Sequence, residues 1–329
     1  MSGFFAAYGL FLAELATLAV LVIALVAVIF ALRRGGRAEG LVVQHLNRSF
    51  EDSADELKLA IDGKGRHKKE VKARAKERKR ADKARDKQAQ TKPRTFVLEF
   101  KGDLRASAVA SLREEVSAVL QVAKPGDEVL LKLENPGGTV HEHGLAASQL
   151  LRLKQRGFPL TVAVDKVAAS GGYLMACVAD RLIAAPFAII GSIGVLAQLP
   201  NFNRLLEEKG VDFEQVTAGR YKRTLTVFGK NTDEGREKLR QEVEDVHELF
   251  KAQIREYRPQ VDLDLVATGE HWHGIRALEL KLVDELRTSD DVLLEAAQQR
   301  ELYHLAYKRR RTVSERMLGG VESVLERLG

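Results

Sequence analysis

Between Arg94 and Pro186 short apolar runs alternate with helix-length segments, and most of the runs end at glycine-bearing turns, a pattern that leaves few architectures open. Thr95 to Phe100 (TFVLEF) reads as a strand and Ser107 to Val122 as a helix. Glu128 to Asn135 reads as a second strand that stops at Pro136-Gly137-Gly138, and Val140 to Arg156 as the helix after it. Leu160 to Ala168 is a third strand running into Ser170-Gly171-Gly172 and a short helix, and Asp180 to Pro186 a fourth. The repeated unit is strand, turn, helix, so the expected class is α/β. Further on, Thr232 to Arg258 is densely charged, with Leu239, Val243, Val246, Leu249 and Ile254 spaced as on one helix face. That helix is expected to pack on the body or on a neighbouring subunit. Phe187 to Leu199 is too short and too polar to span a bilayer and is expected to be a buried core or interface strand.

The first hundred residues have a different character. Leu15 to Leu32 is uncharged and long enough to cross a bilayer, with Glu14 before it and Arg33 and Arg34 after it. A cleaved signal would carry its basic residues ahead of a shorter apolar core, so the segment reads as a retained anchor, its apolar character beginning at about Leu10. Between Lys64 and Lys87 thirteen Lys or Arg face four Asp or Glu, whereas the whole chain is only +6. The basicity therefore belongs to this segment and the remainder is slightly acidic. Without an apolar stripe it is a solvated spacer or a patch for anionic lipid headgroups. Nucleic-acid binding is disfavoured, because no aromatic side chain interleaves the charges. One cysteine, Cys177, excludes an intrachain disulfide framework and is expected to be a small core residue in the helix after Ser170.

Chemistry concentrates at three points. Asn135-Pro136-Gly137-Gly138 ends a buried strand, and glycines there let backbone N–H groups approach a substrate carbonyl. Ser170 follows a strand and leads a helix, a geometry that exposes a hydroxyl and offers a further donor at Gly171. Lys222 lies downstream, beyond a Gly-Ser-Ile-Gly turn that contains Ser192. A serine hydroxyl needs a base, and an unprotonated lysine amine can serve as one. Singly each feature has an ordinary reading: a turn, a structural SGG, a solvated lysine.

In order, NPGG, VAASGGY, GSIGV and GRYKR resemble the signal-peptide-peptidase-A family of membrane serine peptidases (the SppA and SohB peptidases), the SohB kind most closely, over about Arg94 to Leu286. The resemblance implies a ClpP/crotonase-like fold of stacked ββα repeats, preceded by an N-terminal transmembrane helix and a basic tether. It implies Ser170 as nucleophile, Lys222 as general base, Ser192 as the residue that orients Lys222, and Gly138 and Gly171 as the oxyanion hole. No cofactor or metal is implied. The expected division is an anchor at 1–37, a basic polar tether at 38–93, the peptidase domain at 94–290 and a helical tail at 291–329. One departure stands out: Lys281, in ELKLVDEL, occupies a place where the family usually has glycine.

A free lysine is almost wholly protonated at neutral pH, so Lys222 is expected in a largely apolar groove once the protein is assembled. One-domain members of the family are thought to form rings whose sites are shared between neighbours, and the same homo-oligomer is expected here. Expected substrates are peptides or unfolded protein segments, cleaved through an acyl-enzyme. The location is the bacterial inner membrane, single-pass; the basic residues after the helix favour a cytoplasmic peptidase domain and the family's habit a periplasmic one. His141 and His143 are expected at the polar surface, and His271 and His273 in a local turn rather than a metal site. The alternatives are a binding or scaffold protein that kept this fold without turnover, and an acyl-CoA enzyme of the crotonase class.

Overall fold

The computed structural model describes residues 39–62 and 92–309, with single positions at 10, 11, 14, 15, 17–19, 22 and 76. By internal contact the chain divides into Val42–Ala306 and a second unit of Met1–Leu41 with Tyr307–Gly329; the first is the body described below. Among the described residues no helix is long and apolar enough to cross a membrane. The expected span at Leu15 to Leu32 and the basic run from Lys64 to Lys87 lie, but for those single positions, outside the described residues.

The elements follow in the order β1 (Gly40–His45), α1 (Leu46–Asp62), β2 (Arg94–Lys101), α2 (Val109–Val122), β3 (Glu128–Glu134), α3 (Val140–Gln155), β4 (Leu160–Val164), β5 (Val167–Ala169) and α4 (Gly171–Ala176). Then come β6 (Arg181–Ala184), β7 (Ile189–Gly191), α5 (Asn203–Glu208), α6 (Asp233–Tyr257), α7 (Leu263–Val266), β8 (His271–His273), α8 (Gly274–Glu279), β9 (Glu285–Leu286), α9 (Ser289–Gln299) and β10 (Glu301–Lys308). Seven strands form one sheet in the order β1-β10-β2-β3-β4-β6-β9, in which β10, β2, β3, β4, β6 and β9 pair in parallel. A smaller sheet has the order β5-β7-β8, with β5 parallel and β8 antiparallel to β7.

The period-two alternation of strand side chains divides the large sheet's burial between two faces. Phe96, Leu98 and Phe100 of β2 join Val129, Leu131 and Leu133 of β3 in the main core beneath α2, α3 and α4. Val97, Leu130, Ala163, Ile183 and Leu302 point the other way, into a second core closed by Val292 and Leu293 of α9 and by Leu46 and Phe50 of α1. A parallel sheet covered on both faces is what near-continuous apolar strands require.

The structure departs from the sequence reading in four places. The expected tether at 38–93 begins with β1 and α1, and Asn47 fastens them to the body: its Nδ2 donates to Ala297 O and Arg300 O at 2.9 Å each, and its Oδ1 accepts from Leu302 N at 2.8 Å. The expected helical tail at 291–329 contains a strand, β10, whose Glu301 to His304 pair with Arg94 to Val97. The expected strand at Leu160 to Ala168 is two strands in different sheets, because the chain turns at Asp165, whose carboxylate accepts from Ser289 N at 2.8 Å and Ser289 Oγ at 2.5 Å. The expected strand at Phe187 to Leu199 is strand only at Ile189–Gly191; Phe187 and Leu196 are exposed. The helix read at Thr232 to Arg258 is present as α6, where Thr232 accepts a capping hydrogen bond from Gly235 N at 3.1 Å.

Candidate active site

Ser170 stands alone between β5 and α4, with φ 52° and ψ −122°, a backbone conformation that residues with a Cβ seldom adopt. It is held there from both sides: its N–H donates to Gly191 O at 2.7 Å, and its carbonyl accepts from Leu174 N at 3.0 Å. Helix α4 behind it is wholly buried, and Tyr173 ties it to the body by donating to Leu282 O at 2.9 Å. Burial also drives the Tyr173 hydroxyl far above its ordinary range, so it stays protonated and donating. Cys177, at the end of α4, is buried as expected; burial pushes its thiol up to about 12, which rules it out as a nucleophile near neutral pH.

The glycine turn after β3 lies against this elbow. Asn135 is fully buried; its N–H donates to Val167 O at 2.8 Å and its carbonyl accepts from Ala169 N at 3.0 Å, which joins the end of β3 to β5. Its Oδ1 accepts from Gly137 N at 2.9 Å, and its Nδ2 donates to Met175 Sδ of α4 at 3.2 Å. Gly137 has φ 95°, and a Cβ there would sit 2.7 Å from Ala169 O and from Ser170 Cβ. At Gly138 a Cβ would sit 2.1 Å from Leu104 O, so only glycine allows the chain to pass. The Gly137 N–H is thus spent on Asn135, whereas those of Gly138 and Gly171 meet no acceptor among the described residues.

Both free donors, with Ser170 and Ser192, line one cleft of about 840 Å³. Leu104, Val140, Leu174, Val246 and Phe250 make its walls largely apolar. Ser192 directly follows β7 with φ 53°, and its N–H donates to Glu270 O at 2.6 Å. Four of the five site residues read from the sequence therefore meet at one cavity. Lys222 does not: it is exposed, within 209–232, a stretch that carries no helix or strand, and it is not among the residues that line the cleft.

Histidine fares differently from expectation. His141 is exposed, but His143 is fully buried, not at the surface. Its Nδ1 faces Thr139 O at 2.9 Å and its Nε2 faces Asn135 Oδ1 at 3.2 Å. The i, i+2 spacing put His141 and His143 on different faces of α3, which is correct; nothing local told that one of those faces is the core. Asn135 and His143 are the site residues that sequence reasoning missed, although both sit within eight positions of Gly137. His271 and His273 flank Trp272 in β8, not a turn, and among the described residues no group of three or more His, Cys, Asp or Glu side chains is placed to hold a metal ion.

Residues 3–150 match the model for the peptidase family S49 N-terminal region, and residues 152–303 the model for peptidase family S49. A "Probable protease SohB" of Haemophilus influenzae is 45% identical over 316 residues, 93% of this chain and 90% of that protein. One from Buchnera aphidicola subsp. Acyrthosiphon pisum is 55% identical over 230 residues, 70% of this chain and 68% of its own. Another, from Buchnera aphidicola subsp. Schlechtendalia chinensis, is 57% identical over 205 residues, 62% of this chain and 67% of its own. With the two family regions in order along the chain, this protein belongs to peptidase family S49, among the proteases of the SohB and SppA type.

Proposed function

We propose that this protease is a serine endopeptidase with a Ser-Lys dyad on a ClpP/crotonase-like fold, anchored to the bacterial inner membrane by its N-terminal apolar segment. The observation that carries the reading is Ser170: a hydroxyl on a positive-φ elbow, opening into an apolar cleft beside two uncommitted backbone donors. A neutral Lys222 amine takes the Ser170 proton as Oγ attacks the scissile carbonyl carbon, and Gly138 and Gly171 N–H groups hold the oxyanion that forms. The resulting ammonium returns the proton to the leaving amine as the C–N bond breaks. A water molecule, deprotonated by the same amine, then attacks the acyl-enzyme ester, and Ser170 leaves with its proton restored. Ser192 Oγ orients the amine between these steps.

Lys222 is solvent-exposed in the single chain and outside the cleft lining, which favours a site completed by a neighbouring copy in a ring. The apolar walls suit extended peptides or unfolded segments rich in aliphatic side chains. On the charge rule the peptidase domain lies on the cytoplasmic side. The test is casein or signal-peptide hydrolysis by wild type, Ser170→Ala and Lys222→Ala, each abolishing turnover. Mixing the two inactive proteins should restore part of it; mixed assemblies that stay inactive would remove the shared site while leaving the dyad in place.

A further inference from the structure

The imidazole of His143 meets one half of the donor pair directly, at Gly171, and reaches the other only through Asn135; no hydrogen bond joins it to Ser170 among the described residues. On one side Nε2 meets Asn135 Oδ1 at 3.2 Å, and the same oxygen accepts from Gly137 N at 2.9 Å, one residue before the donor at Gly138. On the other side the ring packs on Gly171, the second donor: a Cβ there would lie 2.5 Å from His143 Cγ and 2.7 Å from its Cδ2. The Asn135 amide cannot turn to suit a different partner. Reversal would set its NH2 group against the Gly137 N–H and lose the bond to Met175 Sδ, and a Cβ built at Gly102 would lie 2.2 Å from Oδ1, so the pocket around it is full. Oδ1 is therefore an acceptor in both contacts, and Nε2–H is the donor that fits it; Thr139 O beside Nδ1 is an acceptor too, so a neutral ring satisfies one of the two oxygens and only a doubly protonated ring satisfies both.

We propose that His143 is a positioning residue for the oxyanion hole, setting the separation of the Gly138 and Gly171 N–H groups through one buried ring. This deepens the reading of Ser170 as nucleophile and rests on it. Nδ1 lies 2.9 Å from Thr139 O and Nε2 3.2 Å from Asn135 Oδ1, and no hydrogen bond links either to Ser170 among the described residues, so the ring is not placed as the base. Its effect falls on the tetrahedral state, where the two donors must meet one oxygen, rather than on the bound peptide, which the apolar walls hold.

The test uses the full-length enzyme and a peptide substrate, with kcat and KM measured separately for His143→Phe, His143→Gln and Ser170→Ala. Phenylalanine keeps the ring volume against Gly171 and removes both polar contacts; glutamine can donate to Asn135 Oδ1. The expected result for His143→Phe is a fall in kcat of about 30-fold, below the ~100-fold typical of deleting an oxyanion donor outright, with KM within about threefold of wild type. His143→Gln should recover kcat to within about fivefold of wild type. A His143→Phe enzyme as fast as wild type, a loss carried mainly by KM, or a glutamine variant no faster than phenylalanine would overturn the assignment. If His143→Phe does not fold, the glutamine variant decides alone: kcat within fivefold supports it, and a larger fall in a folded protein overturns it. A Ser170→Ala enzyme with wild-type turnover would instead bring down the serine peptidase reading itself.

Discussion

Replacing Ser170 in two ways separates the hydroxyl from the conformation that presents it. Ser170 Oγ makes no hydrogen bond among the described residues, so Ser170→Ala removes the hydroxyl and keeps the Cβ at φ 52°, ψ −122°. Ser170→Gly removes both. A non-glycine residue in a sparsely populated region costs roughly 1–3 kcal/mol, and the Gly191 O and Leu174 N bonds are what hold it there. Glycine relieves that strain but adds about 0.5–1 kcal/mol of unfolded-chain freedom. The net expectation is that the glycine variant is about 1 kcal/mol more stable than the alanine variant, a Tm about 3 °C higher for a body of this size. Thermal unfolding by circular dichroism, with urea melts alongside, reads it directly. Both variants should lack peptidase activity, so the stability difference between them is independent of turnover. A glycine variant that melts at or below the alanine variant would show that the elbow stores no strain, and with it the argument from φ to nucleophile would fail.

Gly171→Ala and Gly138→Ala should each lower kcat by about 100-fold or more, since the new methyl would meet His143 Cγ at 2.5 Å or Leu104 O at 2.1 Å and displace a donor; far-UV circular dichroism checks that the fold survives. Lys281 holds φ 61°, a left-handed conformation that favours glycine, so Lys281→Gly should raise the urea midpoint by the equivalent of about 0.5–1 kcal/mol and leave kcat unchanged. Arg258 is buried and donates to both oxygens of Asp284 at 2.8 and 2.7 Å, so Arg258→Met should cost about 3–5 kcal/mol by urea unfolding, and Arg258→Met with Asp284→Asn should recover much of it. Burial alone would raise the Asp284 carboxyl, but the Arg258 hydrogen bonds, Leu182 N–H and the guanidinium charge hold it below 3.8. A depressed carboxylate stabilises the fold above its unfolded value and ceases to as pH falls through the folded one; urea melts below pH 3.8 should show wild type losing stability more steeply than the double variant.

Elements whose partners are near in sequence were legible to within a residue or two. The strands β2 and β3 and the helices α2, α3 and α6 carry their own signal: an apolar run or a helical period, with a turn or a cap at the end. What escaped depends on distant residues. No local pattern reveals that Asp165 is drawn toward Ser289, 124 positions away, and so breaks the strand from Leu160 to Ala168. The alternation in Glu301 to Lys308 is real but short, and its neighbourhood of charged helix-formers outweighs it until β2 is seen to offer an unpaired edge. His143 shows the same limit at the site. Its spacing from His141 was informative about direction, whereas its burial depends on Gly171, which leaves room for the ring only because it lacks a side chain.

The site itself divides along a similar line. Everything that must be placed to fractions of an ångström, the elbow at Ser170 and the donors at Gly138 and Gly171, is fixed by short hydrogen bonds among β3, β5, β7 and α4 inside one body. The base candidate is carried on a different kind of structure. The stretch around Lys222 holds together by a few side-chain bonds, such as Asn201 Nδ2 to Thr226 O at 2.8 Å and Arg220 Nε to Glu234 Oε1 at 2.7 Å, and by the rings of Phe202, Phe213 and Phe228. It leaves Val216 exposed, and likewise Tyr221, the residue before Lys222. On the proposed reading this division has a physical use. A chain alone leaves the Lys222 amine exposed and the nucleophile without a base; covering the exposed apolar side chains with a second copy would dehydrate the amine as it meets Ser170 and Ser192. Activity would then rise with a power of protein concentration greater than one at dilutions where assemblies dissociate, and strict proportionality across that range would refute the coupling.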